Sequence, residues 1–257
     1  MSTPAPTIVL VHGAFAESSS WNPVIERLYH HAPTLVATHN QSFRDIVAVA
    51  NPLRSLTGDA AYVRDVIQAI DGPIVLVGHS YGGMVITEAA AGNDAVVALV
   101  YVAAFAPDTG ESALQLSTKF PGSTLGDTLA AYPVSTGGNE LAIKPELFHH
   151  QFAADVPTGQ AALMAATQRP VTQAALSDGL PTATPAWKHI PSWFVFGDQD
   201  LNIPAALQRF GAERAAAQRT RVIAGGSHAI SVSNPDPVVA TILDAVVATT
   251  TARLATA

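Results

Sequence analysis

The chain has 257 residues, of which 48% are hydrophobic and 13% are charged, and its formal net charge is −7. This composition supports a large core and argues against disorder. The acidic balance, without a long basic run, argues against nucleic acid or an anionic membrane as a partner. Cysteine is absent, which excludes disulfides, thiolate nucleophiles and cysteine–zinc sites.

The N-terminal residues, MSTPAPTIVLVHG, lack the basic and long apolar segments of a signal peptide. The longest apolar run, 95–106, is 12 residues long and too short to span a bilayer as a helix. We therefore expect a cytoplasmic protein, monomeric or homodimeric. A single α/β domain is typical of this length, with two small domains as the alternative.

Short β-branched runs alternate with helical patterns along the chain. The predicted strands are 7–11, 46–50, 73–78, 96–105, 192–198 and 219–225. The predicted helices are 18–31 (with a serine cap), 57–70, 81–92, 204–217 and 235–248. Strands that are apolar on both faces and alternate with helices indicate a parallel sheet covered by helices on both sides.

The segment 108–187 interrupts this alternation. It contains seven prolines and helical patterns such as PELFHHQFAADV and GQAALMAATQ. Connections between elements are usually about 2–6 residues long, so an ordinary crossover is the weaker reading. We interpret 108–187 as a helical cap inserted between the fourth and fifth strands. Residues 1–107 and 188–257 then form the core, and cap and core make a single folding unit.

The stretch GHSYG at 78–82 is a G-x-S-x-G pattern between the third strand and a helix. This context is typical of a nucleophile elbow, in which a serine occupies a strained turn. Backbones crowd at such a turn, so Gly78, Gly82 and the adjacent Gly83 supply the small residues it needs. We predict Ser80 as a nucleophile, with a plain glycine turn as the alternative.

A serine hydroxyl needs a base, which in this arrangement is a histidine after a late strand. His228, in VIAGGSHAIS, is the only histidine after the fifth strand and is the predicted base. His12 belongs to the first loop, and the side chain of His79 should point away from the site. His149 and His150 lie in the cap, where adjacent helical residues diverge, so we predict no metal site there.

The acid that orients the histidine is less defined. Asp198 and Asp200, in FGDQDLNIP, follow the fifth strand, and Asp108 follows the fourth. Local chemistry leaves these three aspartates open, because each occupies a loop position that could face the histidine.

Two backbone N–H groups should hold the oxyanion of an acyl-transfer intermediate. One is the amide of Tyr81, directly after the serine. The other should come from the first loop, VHGAFAESSSW, where Gly13 permits a sharp turn. Ala14 is the first choice there and Phe15 is the second.

Taken together, these segments resemble the α/β-hydrolase superfamily over nearly the whole chain. VHGAFAESSSW, GHSYGGMVI, FGDQDLNIP and GGSHAISVSNP occur in the family's order. More narrowly, the chain resembles small bacterial esterases related to plant methylesterases and hydroxynitrile lyases. The resemblance implies an α/β-hydrolase fold with a six-stranded, mostly parallel sheet. Its spatial strand order should be second, first, third, fourth, fifth and sixth.

The resemblance also implies site residues. In the family pattern G-x-x-D-x-x-x-P, Gly197 and Pro204 place the acid at Asp200. The family likewise implies that the amides of Ala14 and Tyr81 bind the oxyanion. The chain departs from the plant lyases, which have a threonine at the place of Gly13 and a lysine near the histidine. These departures disfavour cyanohydrin cleavage.

The function expected from these features is a cofactor-free serine carboxylesterase that hydrolyses small to medium apolar esters through an acyl-enzyme. The same three residues could also serve a lactonase, a C–C hydrolase or a cofactor-free perhydrolase of the haloperoxidase kind. A third possibility is a non-catalytic protein that binds small molecules on the same fold.

Overall fold

The structure is a computed structural model that describes residues 5–39 and 42–256. The first part of the core comprises β1 (Thr7–Val11), α1 (Asn22–His39), β2 (Ile46–Val49), α2 (Leu56–Gln68), β3 (Ile74–His79), α3 (Gly82–Ala89) and β4 (Val96–Val102). The insertion comprises α4 (Ala113–Ser117), α5 (Leu125–Thr128), β5 (Leu129–Pro133), β6 (Asn139–Ile143), α6 (Pro145–Phe152), α7 (Thr158–Thr167), β7 (Val171–Thr172) and α8 (Gln173–Ser177). The core ends with β8 (Ser192–Gly197), α9 (Ala205–Arg214), β9 (Arg219–Ile223), α10 (Ile230–Ser233) and α11 (Pro235–Thr256).

The main sheet has six strands in the order β2-β1-β3-β4-β8-β9, and every pairing is parallel. This confirms the predicted α/β fold and the predicted strand order. Because parallel strands end at the same edge of a sheet, the loops after β1, β3, β8 and β9 converge at one place. None of the helices in the described part of the chain combines the length and apolarity that a membrane span requires.

Both faces of the sheet are buried, which explains why its strands are continuously apolar. Ile8 and Leu10 of β1 belong to one apolar cluster, which includes side chains of α1 and α11. Val9 and Val11 belong to a second cluster on the opposite face, with side chains of α2 and α3. Complete burial of a side chain of this size stabilises the fold by about 1.5–3 kcal/mol.

The insertion contains more than the helices that the sequence patterns predicted. Strands β5, β6 and β7 form a three-stranded antiparallel sheet alongside α4–α8. Gly137 and Gly138 lie between β5 and β6 and have positive φ values of 95° and 79°. Two glycines between short strands are a hairpin signal that favours this pairing over a helix.

The first helix also differs from its predicted range, 18–31. Ser18–Trp21 form a 3₁₀ turn, and the preceding Glu17 makes no side-chain capping bond. The α-helix begins at Asn22 and continues through Pro33 to His39. Proline is favoured in a first helical turn, which fits Pro23 next to the start at Asn22. The helix continues through Pro33, although an interior proline usually ends or kinks a helix.

Substitution of Gly82 tests how closely α3 approaches β1. A Cβ atom at Gly82 would lie 2.5 Å from the Val11 carbonyl oxygen, whereas one at Gly159 in α7 would meet nothing within 4 Å. Gly82→Ala should lower the free energy of unfolding in urea by about 1–3 kcal/mol through overpacking. Gly159→Ala should leave it unchanged or raise it by up to about 1 kcal/mol. Equal effects of the two substitutions would contradict the close approach.

Candidate active site

Ser80 occupies a tight turn between β3 and α3, where neighbouring backbone segments pack closely. Its φ of 56° is in the left-handed region, which costs a non-glycine residue about 1–2 kcal/mol. A Cβ atom on Gly78 would lie 2.6 Å from the Gly82 carbonyl oxygen, and one on Gly83 would overlap the carbonyl of Phe105. The three predicted elbow glycines are therefore required sterically at this turn.

The structure brings Ser80, His228 and Asp200 together from the ends of three strands. His228 Nε2 lies 2.8 Å from Ser80 Oγ, and His228 Nδ1 lies 2.8 Å from Asp200 Oδ2. All three residues are buried, with exposed fractions of 7%, 1% and 4% for Ser80, His228 and Asp200. In such a series of hydrogen bonds, the serine hydroxyl can pass its proton to the imidazole. The carboxylate selects the imidazole tautomer and stabilises the imidazolium.

The carboxylate of Asp200 is held by several donors besides His228. Its Oδ1 accepts hydrogen bonds from the backbone N–H groups of Asn202 and Ile203, each at 2.9 Å. Its Oδ2 accepts one from the side-chain amide of Gln208 in α9, at 3.0 Å. These bonds fix the plane of the carboxylate and its alignment with the imidazole.

The other two aspartates considered from the sequence have different partners. Asp198 accepts the N–H of Gly225 at 2.7 Å and closes a turn between two loops. Asp108 pairs with the ammonium of Lys188 at 2.7 Å. The structure therefore favours Asp200 among the three candidates.

Ala14 and Tyr81 line the same cavity as Ser80. The loop after β1 lies against the elbow, since a Cβ atom on Gly13 would be 2.6 Å from Ser80 Cβ and 3.0 Å from the Tyr81 nitrogen. Within residues 5–39 and 42–256, no protein group accepts from the N–H of Ala14 or Tyr81. The N–H of Phe15, the second choice, donates to the Arg169 carbonyl at 3.1 Å, which disfavours Phe15 as an oxyanion donor.

The side chain of His79, which the sequence predicts to point away from the site, contacts His228 from behind. Strand alternation does turn it to the other face of the sheet, but its ring is centred 4.8 Å from that of His228. His79 Nε2 lies 3.0 Å from the His228 carbonyl oxygen. Burial, reinforced by repulsion from His228, lowers the pKa of His79 to about 3. The neutral imidazole therefore donates to the backbone of the loop that carries His228.

His12 and Asn51 hold the loop after β1. His12 Nε2 accepts the Asn51 N–H at 3.0 Å, and His12 Nδ1 donates to the Gly13 carbonyl at 2.9 Å. The Asn51 side chain donates to the His12 carbonyl at 2.9 Å. Burial lowers the pKa of His12, which favours the neutral imidazole, and its two partners select the tautomer with the proton on Nδ1. Neither residue reaches Ser80, yet both support the backbone that presents Ala14.

A cavity of about 500 Å³ opens beside Ser80, and the insertion supplies most of its walls. Asp127 is the only charged side chain in its described lining. The large apolar residues that line it are Phe15, Phe105, Leu114, Phe120, Leu125, Leu129, Leu141, Leu176 and Ile203. His149, by contrast, hydrogen-bonds through Nε2 to the Val156 carbonyl at 2.8 Å, within the insertion.

The end of α6 contacts both the loop of Asp200 and the loop of His228. The Gln151 amide donates to the Leu201 carbonyl at 2.9 Å and to the side-chain oxygen of Asn202 at 2.8 Å. The Phe152 ring meets His228 edge to face, with centroids 4.9 Å apart. Asp155 hydrogen-bonds to Ser227, next to His228. The insertion therefore packs directly on the hydrogen-bonded chain and limits its contact with water.

The comparison with known sequences agrees with the fold. The alpha/beta hydrolase family matches residues 8–241, so the chain belongs to this family. An alpha/beta hydrolase, nvfD, from Aspergillus novofumigatus (strain IBT 16806) is 27% identical over 255 residues. The match covers 93% of this chain and 96% of that protein.

Solved structures show the same fold. Polyneuridine aldehyde esterase has a TM-score of 0.74 at 20% identity, over 93% of this chain and 98% of its own. The methylesterase protein MES16 from Arabidopsis has a TM-score of 0.73 at 20% identity, over 94% and 98%. A pyrethroid hydrolase from Sphingobium faniae JZ-2 has a TM-score of 0.70 at 20% identity, over 94% and 97%. The predicted membership of the α/β-hydrolase superfamily and its resemblance to esterases are thereby confirmed.

The low pKa of His79 predicts acid sensitivity of the fold. Below pH 6.5 the unfolded chain binds a proton at His79, whereas the folded chain binds that proton only near pH 3. The stability that depends on a neutral His79 is therefore fully present above pH 6.5. As the pH falls below 6.5, the free energy of unfolding decreases by up to about 1.4 kcal/mol per pH unit.

Urea unfolding of the wild type and His79→Gln, measured between pH 7 and pH 4, isolates this contribution as a difference. As the pH falls, the free energy of unfolding of the variant should decrease less steeply than that of the wild type. The difference in slope should correspond to about one bound proton. Parallel pH dependences of the two proteins would show that His79 does not remain neutral in the fold.

Proposed function

We propose that the protein is a serine carboxylesterase that hydrolyses small to medium apolar carboxylic esters through an acyl-enzyme. The observation that carries this proposal is the unbroken hydrogen-bonded chain of Ser80, His228 and Asp200 beside an apolar cavity. The free N–H groups of Ala14 and Tyr81, adjacent to Ser80, support an acyl-transfer role over a purely structural one.

In the acylation half, Ser80 Oγ attacks the ester carbonyl carbon while its proton passes to His228 Nε2. The carbonyl oxygen becomes an oxyanion that accepts hydrogen bonds from the N–H groups of Ala14 and Tyr81. Asp200 stabilises the resulting imidazolium through Nδ1. When the carbon–oxygen bond to the alcohol breaks, His228 returns the proton to the departing oxygen, and the acid part of the ester remains on Ser80.

In the deacylation half, water takes the place of the alcohol. His228 accepts a proton from the water as its oxygen attacks the acyl carbon, and the same two amides hold the second oxyanion. Collapse of this intermediate breaks the bond to Ser80 Oγ, which recovers its proton from His228. The products are a carboxylic acid and the free enzyme, and every step uses groups of the chain and water.

Ester hydrolysis is also supported by the relatives. The solved structures with the same fold include proteins named as an esterase, a methylesterase and a pyrethroid hydrolase. In this chain, the apolar walls beside Ser80 favour an acyl or alkoxy group without charge, because an unpaired ion is costly to bury.

Replacement of the serine tests the nucleophile directly. Ser80→Ala should reduce kcat/KM for p-nitrophenyl esters by at least about 10³-fold, because removal of one member disables the whole unit. Ser192→Ala is a matched control, since Ser192 is also buried but its hydroxyl bonds to the Ile190 carbonyl. Ser192→Ala should retain wild-type kinetics.

A fluorophosphonate probe should label the folded wild type and Ser192→Ala but not Ser80→Ala. A Ser80→Ala protein with half of the wild-type rate would overturn the mechanism. A folded wild type that neither hydrolyses the esters nor reacts with the probe would instead indicate a non-catalytic binding protein. Lactones and β-diketones in the same assays distinguish esterase activity from lactonase and C–C hydrolase activity.

The lining of the cavity predicts discrimination by charge. The p-nitrophenyl ester of pentanoic acid and the mono-p-nitrophenyl ester of glutaric acid have acyl chains of equal length, but the second carries a carboxylate. The neutral ester should have a kcat/KM at least about 10-fold higher, because burial of the unpaired carboxylate is unfavourable. Asp127→Asn should narrow the difference by removing a like charge from the lining. Equal kcat/KM values for the two esters in the wild type would contradict an apolar binding site.

A further inference from the structure

A buried phenol–carboxylate pair lies directly behind the elbow. The hydroxyl of Tyr81 donates a hydrogen bond of 2.9 Å to Asp59 Oδ2. Tyr81 is 1% exposed and Asp59 is 0% exposed, and the two lie 22 residues apart on α2 and at the start of α3. Acidic side chains are rarely buried so completely unless they hold a specific partner.

The carboxylate is itself fixed in place. Asp59 lies in the first turn of α2, where the positive end of the helix dipole favours an acidic side chain. Its other oxygen, Oδ1, accepts the backbone N–H of Arg54 at 2.9 Å. Burial raises the pKa of the Tyr81 phenol well above its ordinary value, so the hydroxyl remains a donor. Each oxygen of Asp59 therefore accepts at least one hydrogen bond.

The pair connects α2 to the residue that follows the strained serine. The Tyr81 backbone is helical, with φ −56° and ψ −27°, and the preceding Ser80 has a positive φ. An aromatic side chain has only two rotatable torsions, so a fixed hydroxyl leaves little freedom to the Cα atom at the other end. The direction of the Tyr81 N–H is then restrained from both sides, by the elbow and by Asp59.

We propose that Asp59 is a positioning residue for the oxyanion donor of this enzyme. By holding the Tyr81 hydroxyl, it fixes the Tyr81 N–H in the direction of the carbonyl oxygen that becomes negative as Ser80 attacks. The proposal rests on the proposed esterase function, because it assigns Asp59 a part in that same reaction. Asp59 does not touch the substrate and acts only through Tyr81.

The first test compares two buried tyrosines. Tyr81→Phe removes the hydroxyl and should lower kcat for a p-nitrophenyl ester about 10- to 100-fold with KM within about twofold, the loss typical of a misdirected oxyanion donor. Tyr101→Phe is the matched control. Tyr101 is equally buried, and its hydroxyl lies 2.8 Å from that of Thr87, outside the cavity lining. Tyr101→Phe should keep kcat within about twofold of the wild type.

The second test separates positioning from general destabilisation. Asp59→Asn retains an acceptor for the Arg54 N–H and can donate its amide to the Tyr81 oxygen, so it should keep most of kcat. Asp59→Leu should lose as much kcat as Tyr81→Phe. The double variant Asp59→Leu/Tyr81→Phe should lose no more than either single one, because both remove the same restraint.

The affinity for a transition-state analogue is a measurement that does not depend on the stability of the folded protein. A trifluoromethyl ketone adds to the serine and forms an oxyanion, whereas the corresponding methyl ketone mainly reports ground-state binding. Tyr81→Phe should weaken the first inhibitor by the same factor as kcat and leave the second unchanged. If the folded Tyr81→Phe protein keeps wild-type kcat and trifluoromethyl ketone affinity, the positioning role is wrong although the esterase function stands. If the wild type hydrolyses no ester and takes no fluorophosphonate, both proposals fail.

Discussion

The close approach of three backbones at the elbow is the constraint on which the site depends. The loop after β1, the end of β3 and the start of α3 meet where Gly13, Gly78 and Gly82 leave no room for a Cβ atom. This contact holds Ser80 in the left-handed region against its conformational preference. It also brings the loop that carries Ala14 against the Tyr81 nitrogen, so both residues line the cavity beside Ser80. The position of the Ser80 hydroxyl at the cavity and the two free N–H donors thus depend on the same close packing.

Around this contact, the structure uses neutral imidazoles and buried amides as rigid supports. His12 holds the first loop and His79 holds the backbone of His228, while Gln208 holds Asp200. Burial keeps the two supporting histidines neutral at ordinary pH. Only His228, among these imidazoles, faces a hydroxyl on one side and a carboxylate on the other. Position in the network therefore separates a candidate base from its supports.

Much of the fold could be predicted from the sequence, because strand–helix alternation and two-sided burial leave a strong apolar pattern. Ser80 and His228 were also accessible, the first through its local glycine pattern and the second as the sole histidine after the fifth strand. Asp200 needed a family resemblance, since three loop aspartates share the same local chemistry. Asp59 and Gln151 left no sequence signal, because their partners lie 22 and 51 residues away. Gly137-Gly138 signals the hairpin in the insertion, but the helical patterns of the insertion obscure this signal.

The contacts of α6 bear on how proteins of this architecture can diversify. Gln151 holds the Asp200 loop, and Phe152 and Asp155 hold the His228 segment, so the insertion contributes to both walls and alignment. An insertion exchanged with that of a relative would bring new walls but would remove these three supports. One insertion therefore both lines the cavity and supports the loops of Asp200 and His228. New specificity would arise more readily by substitution within the helices that line the cavity than by exchange of the whole insertion.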